Sequence, residues 1–225
     1  MDPALALEEA QLTLRGAAGP VEILRGVSLS LARGESLAVM GASGSGKSSL
    51  LAVAAGLEPP SGGSVRLLGQ ELRGLSEDRL AKLRRGRVGV VFQAFHLLPN
   101  MTALENVMAG LELGGAAGPR QARERARAAL ARVGLSAREG HYPSQLSGGE
   151  QQRTAVARAV APGPEIVFAD EPTGNLDSAS GAAVTDLLFT AVREAGAALL
   201  LITHDAAVAG LCQRAMRLVD GRVAA

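Results

Sequence analysis

The sequence has almost no aromatic residues and a single cysteine. Of its 225 residues, four are Phe, one is Tyr and none is Trp, so aromatic side chains make up only 2%. Proteins that grip single-stranded nucleic acid stack its bases on such rings, so this mode of recognition is nearly excluded. The lone Cys212 cannot form an internal disulfide, which favours a reducing compartment such as the cytoplasm.

An excess of charge and long hydrophobic runs are also missing. The chain has 23 Lys and Arg against 22 Asp and Glu, a net charge of +1, so it has no overall field that attracts nucleic acid or anionic lipid. The longest apolar runs, such as residues 197–202, are far shorter than the roughly 18 to 20 residues that a membrane-spanning helix needs. The first residues also lack the pattern of a secretory signal.

Short apolar runs alternate with helical patterns, which predicts an α/β fold with a mostly parallel sheet and covering helices. The chain is expected to form one domain, residues 1–225, with 1–93 and 158–225 as the core and about 94–157 as an inserted helical lobe. Strands are predicted near residues 11–14, 27–31, 36–40, 65–68, 88–92, 165–169, 198–203 and 216–219. Helices are predicted after Gly46, Ser76, Thr102, Pro119, Gly149, Ser178 and Asp205.

A glycine-rich loop follows the predicted strand at 36–40. Its sequence is GASGSGKS, residues 41–48, and a helical pattern comes next, which is the strand-loop-helix context of a phosphate-binding loop. The backbone N–H groups of such a loop turn towards phosphate oxygens, and the helix N-terminus adds a positive dipole. We expect Lys47 to reach the β and γ phosphates of a nucleotide, and Ser48 to offer its hydroxyl to Mg²⁺.

Acidic residues and a histidine follow two further apolar runs. Residues 165–169 lead into Asp170 and Glu171, and residues 198–203 lead into His204. Asp170 is a natural partner for Mg²⁺, and Glu171 could orient or deprotonate an attacking water. Taken alone, each could be a strand end meeting solvent. Beside a phosphate loop they point to one site, because ligands gather at the carboxyl ends of parallel strands.

A second small-residue turn precedes the helix predicted after Gly149. Residues 146–153 read LSGGEQQR, which supplies backbone N–H groups, a hydroxyl and a helix dipole, all suited to an anion. One nucleotide does not need two such sites within one chain. The surplus suggests that a nucleotide is held between two chains.

Taken in order, these motifs resemble the nucleotide-binding subunit of ABC-type ATPases over nearly the whole chain. They are GASGSGKS, Gln93, LSGGEQQ, VFADEP, Asn175-Leu-Asp177 and His204. Residues 90–99, 102–107 and 169–177 further resemble the group of that family containing LolD, MacB and YbbA. The resemblance implies a P-loop ABC ATPase domain with a RecA-like core, an antiparallel β subdomain and an inserted helical subdomain.

The resemblance also implies a role for each matching residue. Glu171 would be the catalytic carboxylate, and His204 would contact the γ-phosphate. Asp170 and Ser48 would hold Mg²⁺. Gln93 would sense both Mg²⁺ and the attacking water. Asp177 would link two sites across a head-to-tail homodimer that binds two ATP molecules. The residues expected to bind nucleotide are Gly41, Ala42, Ser43, Gly44, Ser45, Gly46, Lys47, Ser48 and Ser49 in one copy, and Ser147, Gly148, Gly149, Glu150 and Gln151 in the other.

Three functions remain open at the level of sequence. The first is a subunit that energises a separate integral-membrane permease from the inner face of the cell membrane, and the group resemblance favours it. The second is a soluble ABC ATPase acting on a ribosome, nucleic acid or a cofactor-assembly scaffold, which the small net charge and scarce aromatics disfavour. The third is a regulator without turnover, which Glu171 and His204 disfavour.

The scarcity of aromatic rings generates the first testable prediction. Many ABC ATPases stack adenine on an aromatic residue near the end of the first strand, whereas residues 11–21 contain none. Such stacking contributes about 1 to 3 kcal/mol, so phosphate contacts should dominate affinity here. In nucleotide titrations we expect ATP and GTP to bind within about tenfold of each other. A clearly larger preference for ATP would contradict this expectation.

Overall fold

The structure is a computed structural model that describes residues 2–16, 19–115 and 118–224. The other residues of the predicted 1–225 domain lie outside the described residues. The chain divides into two compact units, of which the first comprises Met1–Arg84 with Ala198–Ala225 and the second comprises Arg85–Ala197. The predicted helical lobe at about 94–157 falls within the second unit, and its boundaries remain a prediction.

Strands and helices alternate through much of the chain. The strands are β1 Leu5–Gly16, β2 Gly19–Leu31, β3 Ser36–Met40, β4 Gly62–Leu67, β5 Gln70–Glu71, β6 Val88–Val91, β7 Ile166–Asp170, β8 Ala198–Ile202, β9 Arg214–Val219 and β10 Arg222–Ala224. The helices are α1 Lys47–Ala54, α2 Glu77–Arg84, α3 Ala103–Leu113, α4 Pro119–Arg132, α5 Gly148–Val160, α6 Ser178–Glu194 and α7 Ala206–Ala209.

The first unit contains antiparallel and parallel strand pairing. An antiparallel sheet has the order β2-β1-β4-β5. In the other group of strands, β3 lies between β8 and β9 and is parallel to both, while β10 pairs antiparallel with β9. Every residue of β8 is buried, as expected for a parallel strand that is covered on both faces. Because β3 and β8 are parallel neighbours, their carboxyl ends lie at the same edge of the sheet.

The second unit contains a parallel strand pair and a helical cluster. Strand β6 pairs with β7, with Val91 opposite Ala169. Helices α3, α4 and α5 pack through a shared apolar core whose members include Val107, Leu111 and Leu130, each no more than 1% exposed. This core fixes how α5, which carries the LSGGEQQ motif, lies against its neighbours.

The predicted helix beginning at Pro119 illustrates how far local pattern determines structure. Proline occupies the first turn of α4, and Gly134, with φ of 71°, lies just beyond its end. The apolar residues that the sequence places on one face of this helix are all at most 9% exposed: Ala122, Ala126, Ala129, Leu130 and Val133. The α/β fold expected from the sequence is confirmed.

The main departures are in the strands. Strand β1 begins at Leu5, six residues before the predicted start near Gln11. The additional first residues, Leu5–Leu7, pair with both β2 and β4. Strands β5 and β10 were not predicted, since each has only two or three residues. Within the described ranges, no helix combines the length and the apolar character needed to span a bilayer.

Removing part of the helical core should destabilise the protein. Leu130→Ala leaves a cavity where a side chain is fully buried, so we expect the free energy of unfolding to fall by about 2 to 5 kcal/mol in urea denaturation. Arg120→Ala on the same helix is the control. Its side chain is 95% exposed, so the change should stay within about 0.5 kcal/mol. Equal stability of both variants would contradict the packing described.

Candidate active site

The glycine-rich loop joins the carboxyl end of β3 to the start of α1. Gly46 is the residue before the helix and has φ of 98°, a left-handed conformation that favours glycine. No acidic residue lies in the first turn of α1, so the helix itself supplies no carboxylate that would offset the positive end of its dipole. Ala42, Ser43 and Gly44 are exposed along the loop. This is a cradle suited to phosphate oxygens.

Neighbouring strands of the first unit hold the loop closely. A Cβ on Gly41 would lie 2.4 Å from the carbonyl oxygen of Leu218, and one on Gly46 would lie 3.0 Å from that of Ile23. Gly221, between β9 and β10, donates its N–H to the carbonyl oxygen of Ser45 at 3.1 Å. Close backbone approach therefore requires glycine at position 41, and tight packing together with a left-handed backbone favours it at position 46. These contacts hold the cradle in place.

Lys47 lies against this loop. Lys47 is only 8% exposed, and its Nζ donates to the carbonyl oxygens of Gly41 and Ala42 at 2.8 Å each. The ammonium group is thereby held at the mouth of the cradle, where it can reach a phosphate by exchanging these acceptors. The next residues differ in exposure, since Ser48 is exposed and Ser49 is half-buried.

His204 follows the strand beside β3. Val39 of β3 lies opposite Ile202 of β8, and the N–H of Thr203 donates to the carbonyl oxygen of Val39. The exposed His204 thus leaves the same edge of the first unit as the glycine-rich loop. This is the position expected from the carboxyl ends of parallel strands.

In the second unit, the other predicted catalytic residues follow another parallel pair. Gln93 comes two residues after β6, Asp170 ends β7, and Glu171 is next. Glu171 has φ of 44°, a left-handed conformation that is rare for a residue with a side chain and is often found at functional sites.

Two side-chain amide contacts connect the loops after β6 and β7. Gln93 Nε2 donates to Asn175 Oδ1 at 3.1 Å, and Asn175 Nδ2 donates to the carbonyl oxygen of Gln93 at 3.0 Å. A Cβ on Gly174 would lie 2.7 Å from Gln93 Nε2, so Gly174 leaves room for this pairing. The sequence singled out Asn175 as part of a motif but gave no signal of this specific role.

Ser147 begins α5 through a capping box. Its hydroxyl accepts from the N–H of Glu150, while its own N–H donates to Glu150 Oε2 at 2.8 Å. The Ser147 N–H, with the guanidinium of Arg138 at 3.0 Å, holds the pKa of the Glu150 carboxyl below its usual value. The Glu150 carboxylate is therefore engaged in the cap, whereas the N–H groups of Gly148 and Gly149 begin the helix without acceptors in it.

Residues near the start of α5 and α6 complete the predicted set. Gln151 Nε2 donates to the carbonyl oxygen of Leu146 at 3.1 Å. Asp177 is exposed and caps α6, accepting from the N–H groups of Ala179 and Ser180 at 3.1 and 3.0 Å. The Ser180 N–H is the main reason that the pKa of Asp177 is lowered. Its predicted role between protomers remains a prediction.

The residues expected to hold Mg²⁺ have suitable chemistry. Ser48, Gln93 and Asp170 offer a hydroxyl, an amide oxygen and a carboxylate, and Mg²⁺ prefers oxygen ligands. Among the described residues there is no cluster of three or more His, Cys, Asp or Glu side chains that could form a metal cage of its own. Mg²⁺ bound with nucleotide needs no such cage, because phosphates and waters supply much of its coordination. The donor set therefore fits the ion.

Comparison with known proteins assigns the family. Residues 24–174 match the family described as ABC transporter. The chain is 50% identical over 203 residues to the uncharacterized ABC transporter ATP-binding protein YbbA of Escherichia coli K12, covering 90% of this chain and 89% of YbbA. It is 46% identical to the lipoprotein-releasing system ATP-binding protein LolD 2 of Caulobacter vibrioides, covering 99% and 97%.

A third relative carries a similar sequence as part of a longer chain. The macrolide export ATP-binding/permease protein MacB of Chromobacterium violaceum is 48% identical, with 90% of this chain matching 31% of MacB. The predicted resemblance to the group containing LolD, MacB and YbbA is confirmed. A particular likeness to YbbA, indicated by residues 81–84, 187–189 and 217–219, agrees with the identity to that protein.

Solved structures agree with the fold and the activity. The ATP-binding cassette MJ0796, a dimer bound to ADP and Pi in a post-hydrolysis state, superposes with a TM-score of 0.91 at 38% identity. The match covers 98% of this chain and 97% of the cassette. The phosphate cradle, the order of the motifs in the sequence and these matches lead to one conclusion. The chain belongs to the ABC transporter family and is an ABC-type ATPase.

Proposed function

We propose that this chain is the ATP-hydrolysing subunit that energises a separate integral-membrane permease. The observation that carries the proposal is the similarity to LolD 2 and MacB over at least nine-tenths of this chain. The name of MacB joins an ATP-binding part and a permease part, and this chain matches only 31% of MacB. A permease on another chain would supply the remaining part, and would place this subunit at the cytoplasmic face of the membrane.

The work of such a subunit could take several forms. The relatives' names mention macrolide export and lipoprotein release. Both processes would use an ATPase domain of this type. Export, extraction of a lipoprotein-like cargo and transmission of mechanical force are all compatible with the proposed partnership. The permease, rather than this chain, would determine the cargo.

The residues of the first unit bind the triphosphate. The loop at 41–48 directs backbone N–H groups at phosphate oxygens, and Lys47 exchanges its two carbonyl acceptors for oxygens of the β and γ phosphates. His204, leaving the neighbouring strand, contacts the γ-phosphate. Together these groups stabilise negative charge as it shifts during transfer.

The residues of the second unit act on water and on the metal. Glu171 accepts the proton of the water whose oxygen attacks the γ-phosphorus, and the bond to the bridging oxygen breaks to leave ADP. Asp170, with the hydroxyl of Ser48 in the phosphate loop, would hold Mg²⁺, and Gln93 would sense the ion. When bound, the ion neutralises charge on the β and γ phosphates. No covalent intermediate with the protein is needed.

Two copies of the chain complete each site. Dimeric structures of the related cassette MJ0796 support a homodimer. In the proposed head-to-tail arrangement, Ser147–Gln151 of one copy cover the γ-phosphate bound by the other, through the free N–H groups at the start of α5. Asp177, at the start of α6, links the two sites.

Replacing the proposed base tests the chemistry. Glu171→Gln keeps the size of the side chain but removes the carboxylate, so we expect ATP binding to persist while turnover falls by about 100-fold or more. Phosphate release and nucleotide titration measure the two effects, and light scattering should show a trapped dimer. Glu194→Gln is the matched control, because Glu194 lies at the exposed end of α6. Normal hydrolysis by Glu171→Gln would refute the assigned role.

Recovery of the natural partner tests the biological role. We expect the chain to purify from detergent-solubilised membranes with an integral-membrane protein in stoichiometric amount, and its phosphate release to change when that partner is present. Recovery with ribosomes or nucleic acid instead would overturn the permease proposal. It would favour the soluble ABC ATPase acting on those assemblies, and would leave the ATPase assignment intact.

A further inference from the structure

A buried glutamine lies between the two loops that carry Gln93 and Glu171. Gln152, in the second turn of α5, is 0% exposed. Its Nε2 donates to the carbonyl oxygen of Pro172 at 2.7 Å and to that of Phe92 at 3.3 Å. Pro172 directly follows Glu171, and Phe92 directly precedes Gln93. One side-chain nitrogen therefore binds the backbone next to both residues.

The orientation of this amide follows from chemistry. Carbonyl oxygens only accept hydrogen bonds, so the nitrogen with its two protons, rather than the oxygen, must face Phe92 and Pro172. The Oε1 atom of Gln152 is buried and has no hydrogen-bond partner within the described ranges. An unsatisfied buried acceptor lowers the stability of the fold. The contribution of this side chain therefore comes from the hydrogen bonds that its N–H groups donate.

Helix α5 also holds the segment after β6 at a second place. Arg158 donates to the carbonyl oxygens of Phe95 and His96, at 2.9 and 2.6 Å. Both residues have left-handed backbone conformations, with φ of 60° and 47°. Such conformations persist only when surrounding contacts impose them. The segment is thus fixed to α5 on both sides of Gln93, and Gln152 also binds the carbonyl oxygen of Pro172.

We propose that Gln152 is a positioning residue that ties the Gln93 segment and the Glu171 turn to α5, the helix that begins with Ser147. It does not touch the nucleotide. Because its amide has two donors, Gln152 holds the loops after β6 and β7 at one fixed spacing from α5. The proposal rests on the proposed roles of Gln93 and Glu171, and assigns Gln152 the task of keeping both in register.

Gln152→Met tests the proposal with a side chain of similar length that cannot donate. We expect the rate of phosphate release at saturating Mg-ATP to fall by about 10- to 100-fold, because small displacements of reacting groups are costly. The dissociation constant for ATP should change little, since the phosphate cradle lies on other elements. Hydrogen exchange should become faster in peptides covering residues 92–96 and 171–177 together.

Thr154→Val is the matched control on the same helix. Thr154 is also 0% exposed, but its Oγ1 donates to the carbonyl oxygen of Glu150 within α5 rather than to a loop. This variant loses a buried hydrogen bond yet should keep its turnover and the slow exchange of both loops. If Gln152→Met does not fold, Gln152→Asn keeps an amide one methylene too short to reach both carbonyls, and should show the same separation of effects.

The outcomes separate this proposal from the one on which it rests. Normal turnover and unchanged loop exchange in a folded Gln152 variant would overturn the positioning role, even if Glu171→Gln is inactive. Equal losses in Gln152→Met and Thr154→Val would also overturn it, because they would indicate a general effect on stability. Full activity of Glu171→Gln would instead refute the assigned base, whatever Gln152 does.

Discussion

Parallel strand pairing determines where the chemistry of this chain lies. Strand β3 pairs with β8 in the first unit, and β6 pairs with β7 in the second. Because parallel strands end at the same edge, the glycine-rich loop leaves beside His204, and the Gln93 segment leaves beside Asp170 and Glu171. The sequence predicts that these residues follow strands, and the pairing shows which of those strands are neighbours. A change that broke either pair would separate residues whose proposed roles require them to be close together.

Close backbone packing then gives each loop a single shape. Gly41 leaves no room for a side chain next to Leu218, and Gly46 leaves little room next to Ile23, so close packing holds the phosphate loop in one shape. In the second unit, hydrogen bonds hold the loops in place instead. Gln93 donates to Asn175, and Asn175 donates back to the backbone of Gln93. Preorganisation of this kind matters for phosphoryl transfer, where positioning and electrostatics supply most of the catalysis.

The sequence predicted the features that depend on local pattern or on contiguous motifs. The strand-loop-helix at 36–54 and the amphipathic helix beginning at Pro119 are of this kind, because periodicity, glycines and caps act over a few residues. The resemblance to ABC ATPases then extended the prediction to the whole fold. The roles of the individual site residues remain predictions, although their placement at strand ends agrees with them.

Other features depend on contacts between distant segments and could not be predicted. Nothing in the pattern around Gln152 indicates that its nitrogen reaches the carbonyl oxygens of Phe92 and Pro172, which lie 60 and 20 residues away. Asn175 and Arg158 are similar, since their partners become neighbours only after β6, β7 and α5 pack. The short strands β5 and β10 were missed because pairing, rather than composition, defines them.

The central claim is that each ATP lies between the loop of one copy and the LSGGEQQ turn of another. Mixing two inactive variants, Lys47→Ala and Ser147→Ala, tests it most directly through phosphate release. In a mixed head-to-tail dimer, one site combines the intact loop of one chain with the intact turn of the other. Activity of the mixture clearly above that of either variant alone is the expected result. A mixture no more active than its separate components would contradict the shared site.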